Sequence, residues 1–106
     1  MEMALTGRTL SAQEAKDWGL VNEVTEEGAV VERAVEWARV VAGNSPDAVI
    51  VGKEGVGLGW EGGGVEEGSR SLVEGGWKRM EGGENMREGV RAWVEGRGAR
   101  WVDSKL

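Results

Sequence analysis

Seven glycines fall between Gly52 and Gly64, at positions 52, 55, 57, 59, 62, 63 and 64, and they limit what this chain can build more than any other feature. Each glycine inside a helix costs ~1 kcal/mol relative to alanine. Gly52, Gly55, Gly57 and Gly59 together remove about 4 kcal/mol from a helix starting at Pro46, and a whole domain is stable by only ~5–15 kcal/mol. The segment is therefore expected to fray unless tertiary partners hold it. Those partners must be drawn from Val, Leu, Ala, Met and six Trp, because Phe and Tyr are absent.

The missing residue types exclude several chemistries. Without cysteine there is no disulfide framework and no thiolate nucleophile. Without histidine the usual zinc ligands and the usual general base are lacking, and a serine–histidine triad is impossible. No metal site is expected. The net charge of −6 argues against nucleic acid, which needs a basic footprint. Only residues 84–106 lean basic, with five bases to four acids. No apolar run approaches the ~20 residues of a membrane span, and Met1-Glu2-Met3 lacks the pattern of a signal peptide. The chain reads as soluble and intracellular.

Local signals predict a series of short amphipathic helices with little strand, a mainly α fold. Ser11 with Glu14 forms a capping box that opens a helix running to Trp18, and Gly19 closes it. Leu20–Val24 reads as a brief extended stretch. From Glu27 to Ala42 the period is helical, with Val31, Ala34, Val35, Ala38 and Val41 on one face. Gly43 and Asn44 stop it. Ser45-Pro46 restarts a helix, serine as cap and proline at the first position. Periodicity returns at Val65, Leu72, Val73, Trp77 and Met80 until Gly82-Gly83 breaks it, and a last helix spans about Glu84 to Glu95. The remainder reads as an extended tail.

Three features invite a catalytic or binding reading, and each has a plainer one. Gly59-Trp60-Glu61-Gly62-Gly63-Gly64 lacks the Lys-Ser/Thr ending of a phosphate loop, and its glutamates repel phosphate; it reads as a loose connection. The pairs Glu26/Glu27 and Glu66/Glu67 are adjacent on helices and do not converge on one substrate atom. Lys53 is a Schiff-base candidate only if buried. No catalytic residue is assigned within the chain.

Ser104-Lys105-Leu106 matches the tripeptide that directs proteins to the peroxisome matrix when it stands at a free carboxyl end. The import receptor, the partner this implies, captures the terminal carboxylate and three side chains together. Leu106 needs an apolar pocket, Lys105 an acidic wall and Ser104 a small space. The glycine-bearing, charged run before it is expected to be flexible and to keep the terminus accessible.

Thr6-Gly7-Arg8-Thr9-Leu10-Ser11-Ala12-Gln13-Glu14-Ala15, followed by Trp18-Gly19-Leu20-Val21-Asn22-Glu23-Val24, resembles the enoyl-CoA hydratase/isomerase (crotonase) family. The resemblance continues in order through Ser45-Pro46-Asp47-Ala48-Val49 with Lys53-Glu54, and through Glu84-Asn85-Met86-Arg87-Glu88-Gly89-Val90-Arg91-Ala92-Trp93-Val94-Glu95. It implies a family whose amino-terminal core of repeated ββα units surrounds a CoA-thioester site. Its carboxyl-terminal helices cover that site and build trimers, often paired into hexamers. By the same resemblance, two backbone amides hold the thioester enolate and one or two glutamates move protons, all in the core upstream of the part matched here.

The expected architecture is therefore the carboxyl-terminal helical, trimerisation part of the crotonase fold, with the ββα core absent. Residues 1–24 correspond to the end of the core, 25–98 to the helical region and 99–106 to the tail. The parent reaction is hydration or isomerisation of a 2-enoyl-CoA or related acyl-CoA, with CoA present only as part of the substrate and no separate cofactor. The resemblance also places Trp93 where the family carries an aromatic residue that approaches the CoA nucleotide of a neighbouring subunit. Gly96 stands where a lysine would be, and Arg97 beside it points elsewhere on a helix. Packing of Trp93 with Val90 and Val94 is the plainer alternative. For the whole chain the alternatives are a non-catalytic helical interaction module, or a truncated, inactive fragment of such an enzyme.

Overall fold

The computed structural model describes residues 1–61 and 63–106; Gly62, within the glycine-rich connection, lies outside them. Seven α-helices occur in this part: α1 (Glu2–Thr6), α2 (Ala12–Asp17), α3 (Val30–Ala42), α4 (Pro46–Trp60), α5 (Gly64–Leu72), α6 (Lys78–Met80) and α7 (Glu84–Glu95), with a π turn (Val73–Trp77) joining α5 to α6. No strand is found among the described residues. Spatial contacts group the chain into two units, Met1–Trp37 and Ala38–Leu106.

In the first unit the capping box forms as its spacing requires. The Glu14 carboxylate accepts from the Ser11 amide at 2.9 Å, and Ser11 Oγ accepts from the Glu14 amide at 3.2 Å. Gly19 follows α2 in the left-handed region, at φ 72°. Arg8 ties α1 to α2 through Glu2 and Glu14, and its guanidinium lies 5.2 Å from the Trp18 ring centroid, a cation–π geometry. Leu20–Val24 forms bends and irregular backbone rather than a strand. Helix α3 starts at Val30, three residues after the expected Glu27, because Glu27-Gly28 forms a turn with Gly28 at φ 86°. The Ala29 amide closes that turn on Glu26 O at 3.1 Å.

The second unit supplies the tertiary partners that the glycine-rich segment needs. Helix α4 continues through Gly52, Gly55, Gly57 and Gly59 to Trp60. Part of the reason is close packing that glycine alone permits. A Cβ at Gly55 would stand 2.9 Å from Leu72 Cδ2. One at Gly76 would stand 2.7 Å from Glu54 Oε2 and 3.2 Å from Val51 Cγ1. The glycines thus let α4 and the α5–π–α6 segment close on each other, and Arg79 clasps Glu54 across the contact at 2.7 Å.

Two further departures come from the same region. The periodic stretch Val65–Met80 is not one regular helix but widens into a π turn where Gly75 and Gly76 offer the least resistance. The expected apolar core is also small: among the described residues only the apolar side chains of Val51, Met80 and Ala92 are buried, and no tryptophan is. By contrast α7 spans the residues its flanking glycines predict, with Gly96 at φ 66° as its left-handed cap.

A methyl group separates the two kinds of glycine. Gly76→Ala should destabilise the chain by ~1–3 kcal/mol through overpacking. Gly57→Ala, which meets open space, should stabilise it by ~0.4–1 kcal/mol. Urea titrations followed by circular dichroism will show the opposite signs; equal effects would mean that the close approach at Gly76 does not form.

Candidate functional site

The first turns of α4 and α7 place Asp47 and Asn85 together in the second unit, 5% and 2% exposed. Asn85 Nδ2 donates to Asp47 Oδ2 at 3.2 Å and to the Val102 carbonyl at 3.0 Å. Its Oδ1 accepts from the Val102 amide at 2.9 Å. The carboxamide thus pairs with Val102 as a neighbouring strand would, while its second N–H meets the carboxylate. Asp47 Oδ1 has no hydrogen-bond partner among the described residues.

The tail is fastened at further points. Trp101 Nε1 donates to the Gly43 carbonyl at 3.0 Å, and its ring lies so close to Gly89 that a Cβ there would stand 3.2 Å away. Glu88 accepts from Arg97 at 2.6 and 3.1 Å and from the Arg100 amide at 2.8 Å. The Arg97 guanidinium, then the Arg100 amide, hold the Glu88 carboxyl down at about 2. Lys105 Nζ pairs with Glu84 Oε2 at 3.1 Å, and the Leu106 amide donates to Ser104 Oγ at 3.2 Å. Residues 97–102 are therefore anchored, which corrects the expectation of a flexible run before Ser104-Lys105-Leu106.

Trp93 projects from the outward side of α7 at 84% exposure, with Val90 and Val94 also exposed, so the three do not bury one another. It borders an apolar hollow of about 450 Å³ with Ala48, Trp77, Met80, Met86 and Trp101. Gly96 serves as helix cap, and Arg97 is committed to Glu88 and to Glu95 at 2.6 Å, leaving no free cation at that turn. In the first unit, Val21, Val24, Val30 and Trp37 border a second hollow of about 440 Å³. At its edge Glu23 accepts from the Trp37 indole at 3.0 Å and from Arg33 at 2.8 Å, and both bonds lower its pKa. Lys53 is exposed, as are Glu26, Glu27, Glu66 and Glu67, which sets aside the Schiff-base reading of Lys53. Among the described residues no group of three His, Cys, Asp or Glu is placed to hold a metal.

Compared with known proteins, the chain matches the family model for enoyl-CoA hydratase/isomerase over residues 1–104. The chain belongs to the enoyl-CoA hydratase/isomerase family. It is 47% identical, over 99% of its length, to a mevalonyl-coenzyme A hydratase of Beauveria bassiana, of which it spans 38%. A mevalonyl-coenzyme A hydratase of Aspergillus fumigatus is likewise 47% identical over 99% of the chain, which covers 39% of it. Among solved structures, an enoyl-CoA hydratase/isomerase of Mycobacterium paratuberculosis superposes with a TM-score of 0.85 at 33% identity, over 95% of this chain and 40% of that one. An enoyl-CoA hydratase of Mycobacterium marinum gives 0.86 at 30% identity, over 98% of this chain and 40% of the other. The chain therefore spans about two fifths of the length of these family members.

Asp47 and Asn85 lie in two separate family-like motifs, and nothing local in the sequence signals their contact beyond a polar residue in the second position of each of two helices. The neighbouring Glu88 gives the tail a defined acid limit. A carboxyl whose pKa is lowered by folding contributes stability above its unfolded value, lost as the pH falls through its folded value. The Glu88 contribution should decline below about 4.5 and be gone below about 2. The Arg100 amide resonance should keep its docked shift at pH 4 and move only near pH 2; release already complete at pH 4 would contradict the Glu88 anchor.

Proposed function

We propose that the chain is the carboxyl-terminal helical segment of a peroxisomal enzyme that hydrates a 2-enoyl-CoA, or dehydrates the corresponding β-hydroxyacyl-CoA. It contributes assembly and coverage of the thioester site rather than the reacting groups. The observation that carries this reading is a match along 99% of the chain to only 38% of a full hydratase. The exposed apolar side chains fit it: Trp60, Val65 and Trp93 are each at least 84% exposed. In the proposed enzyme they pack against the ββα core and neighbouring subunits, in a trimer or hexamer. Mevalonyl-CoA is the first substrate to try, because both fungal relatives are hydratases of that thioester by name.

The chemistry explains why this segment does not work alone. Adding water across an enoyl thioester develops negative charge on the carbonyl oxygen, and preorganised donors must hold it. Losing one such donor costs ~10²–10³ in rate. A carboxylate within hydrogen-bond reach must also activate the water. The chain's exposed glutamate pairs converge on no such point. In the proposed enzyme, Trp93 lies against the CoA nucleotide of an adjoining subunit, and Ser104-Lys105-Leu106 engages the import receptor from a free carboxyl end.

Two measurements test this reading. The 106-residue chain should turn over neither mevalonyl-CoA nor crotonyl-CoA, and activity should appear when a family core is supplied in trans. Turnover by the chain alone, abolished by changing one of its own glutamates, would contradict the assignment. For localisation, a fluorescent protein ending in residues 95–106 should enter peroxisomes, and deleting Leu106 should leave it cytosolic; import that survives the deletion would refute the targeting role.

A further inference from the structure

We propose that the fold latches its own carboxyl-terminal tripeptide onto the start of α7, so that a receptor reading Ser104-Lys105-Leu106 must first pull it free. This rests on the import reading above, but the latch is a separate property that the reading does not require.

One of the groups a receptor would use is already engaged, while the Leu106 side chain stays exposed. The Lys105 ammonium, which an acidic receptor wall would take up, is paired with Glu84 at 3.1 Å. The Leu106 amide donates to Ser104 Oγ at 3.2 Å, a local bond that a receptor taking up both groups must replace. Lys105 and Leu106 border a hollow of about 290 Å³ with Arg79, Gly83 and Arg87. Asp103 and the tripeptide come directly after the Val102 clamp, which Asn85 holds at 2.9 and 3.0 Å. Four residues at ~3.3–3.6 Å each reach roughly 14 Å when fully extended. A receptor that encloses the extended end must break the Lys105–Glu84 pair and the Ser104–Leu106 bond before it can close.

An exposed ion pair shifts such an equilibrium only a few-fold, so the latch sets a graded penalty rather than a block. It also links the address to the folded state of α7: unfolding or displacing the start of that helix releases the tripeptide.

The test compares affinities for the peptide-binding domain of a peroxisomal import receptor. A free peptide of residues 95–106 should bind roughly 2–5-fold tighter than the whole chain, or more where the Val102 clamp must also open. Glu84→Gln should narrow that gap while leaving the far-UV circular dichroism and the Val102 amide protection unchanged, which separates unlatching from unfolding. A Gly-Ser-Gly-Ser insertion between Val102 and Asp103 should close it. Equal binding by peptide and whole chain would overturn the latch and leave the import reading standing. A peptide that does not bind would overturn the import reading, and the latch with it.

Discussion

One carboxamide organises the second unit. Asn85 reaches Asp47 38 residues back and Val102 17 residues ahead, and so joins the start of α4, the start of α7 and the tail. Only one orientation satisfies all three neighbours: nitrogen toward the carboxylate and the carbonyl, oxygen toward the amide. Removing it would leave buried or half-buried groups without partners, at ~1–3 kcal/mol each. Among the described residues the buried apolar set is just Val51, Met80 and Ala92, so polar fastening has unusual weight here. Trp101, Glu88 and Lys105 then fix the tail at successive points along α7.

Much of the helix pattern was legible because its causes are local. The Ser11–Glu14 box, the Ser45-Pro46 start and the glycines bounding α7 each act within one turn of chain. What escaped the sequence depends on residues far apart. The persistence of α4 through its glycines follows in part from Leu72 and Gly76 lying against it, which no local propensity contains. The π turn at Val73–Trp77 lies at the Gly76 contact with Val51 and Glu54. The five-residue α1 carries too little periodicity to announce itself. The tail reads as flexible from its glycines and charges, yet the charges at Arg97 and Lys105 have partners on α7.

The candidate site was legible to a similar depth. Trp93 stands out by its place in a family-like helix, and the structure puts it on an exposed face beside an apolar hollow. Asp47 and Asn85 each belong to a motif, and their meeting is a tertiary fact. The glycines have two roles: those at 55 and 76 permit close helix contacts, while those at 52, 57 and 59 meet open space. The exposed Trp60, Val65 and Trp93 are the side chains that the proposed enzyme would cover with its other parts.

That the tail belongs to the fold, held by Asn85, is the claim on which this account rests. Hydrogen exchange at the Val102 amide tests it most directly, since among the described residues it donates to Asn85 Oδ1, at 2.9 Å. The account predicts clear protection at Val102, exchange near the random-coil rate at Lys105, and loss of the Val102 protection in Asn85→Ala. A Val102 amide exchanging as fast as Lys105 in the unsubstituted chain would contradict it.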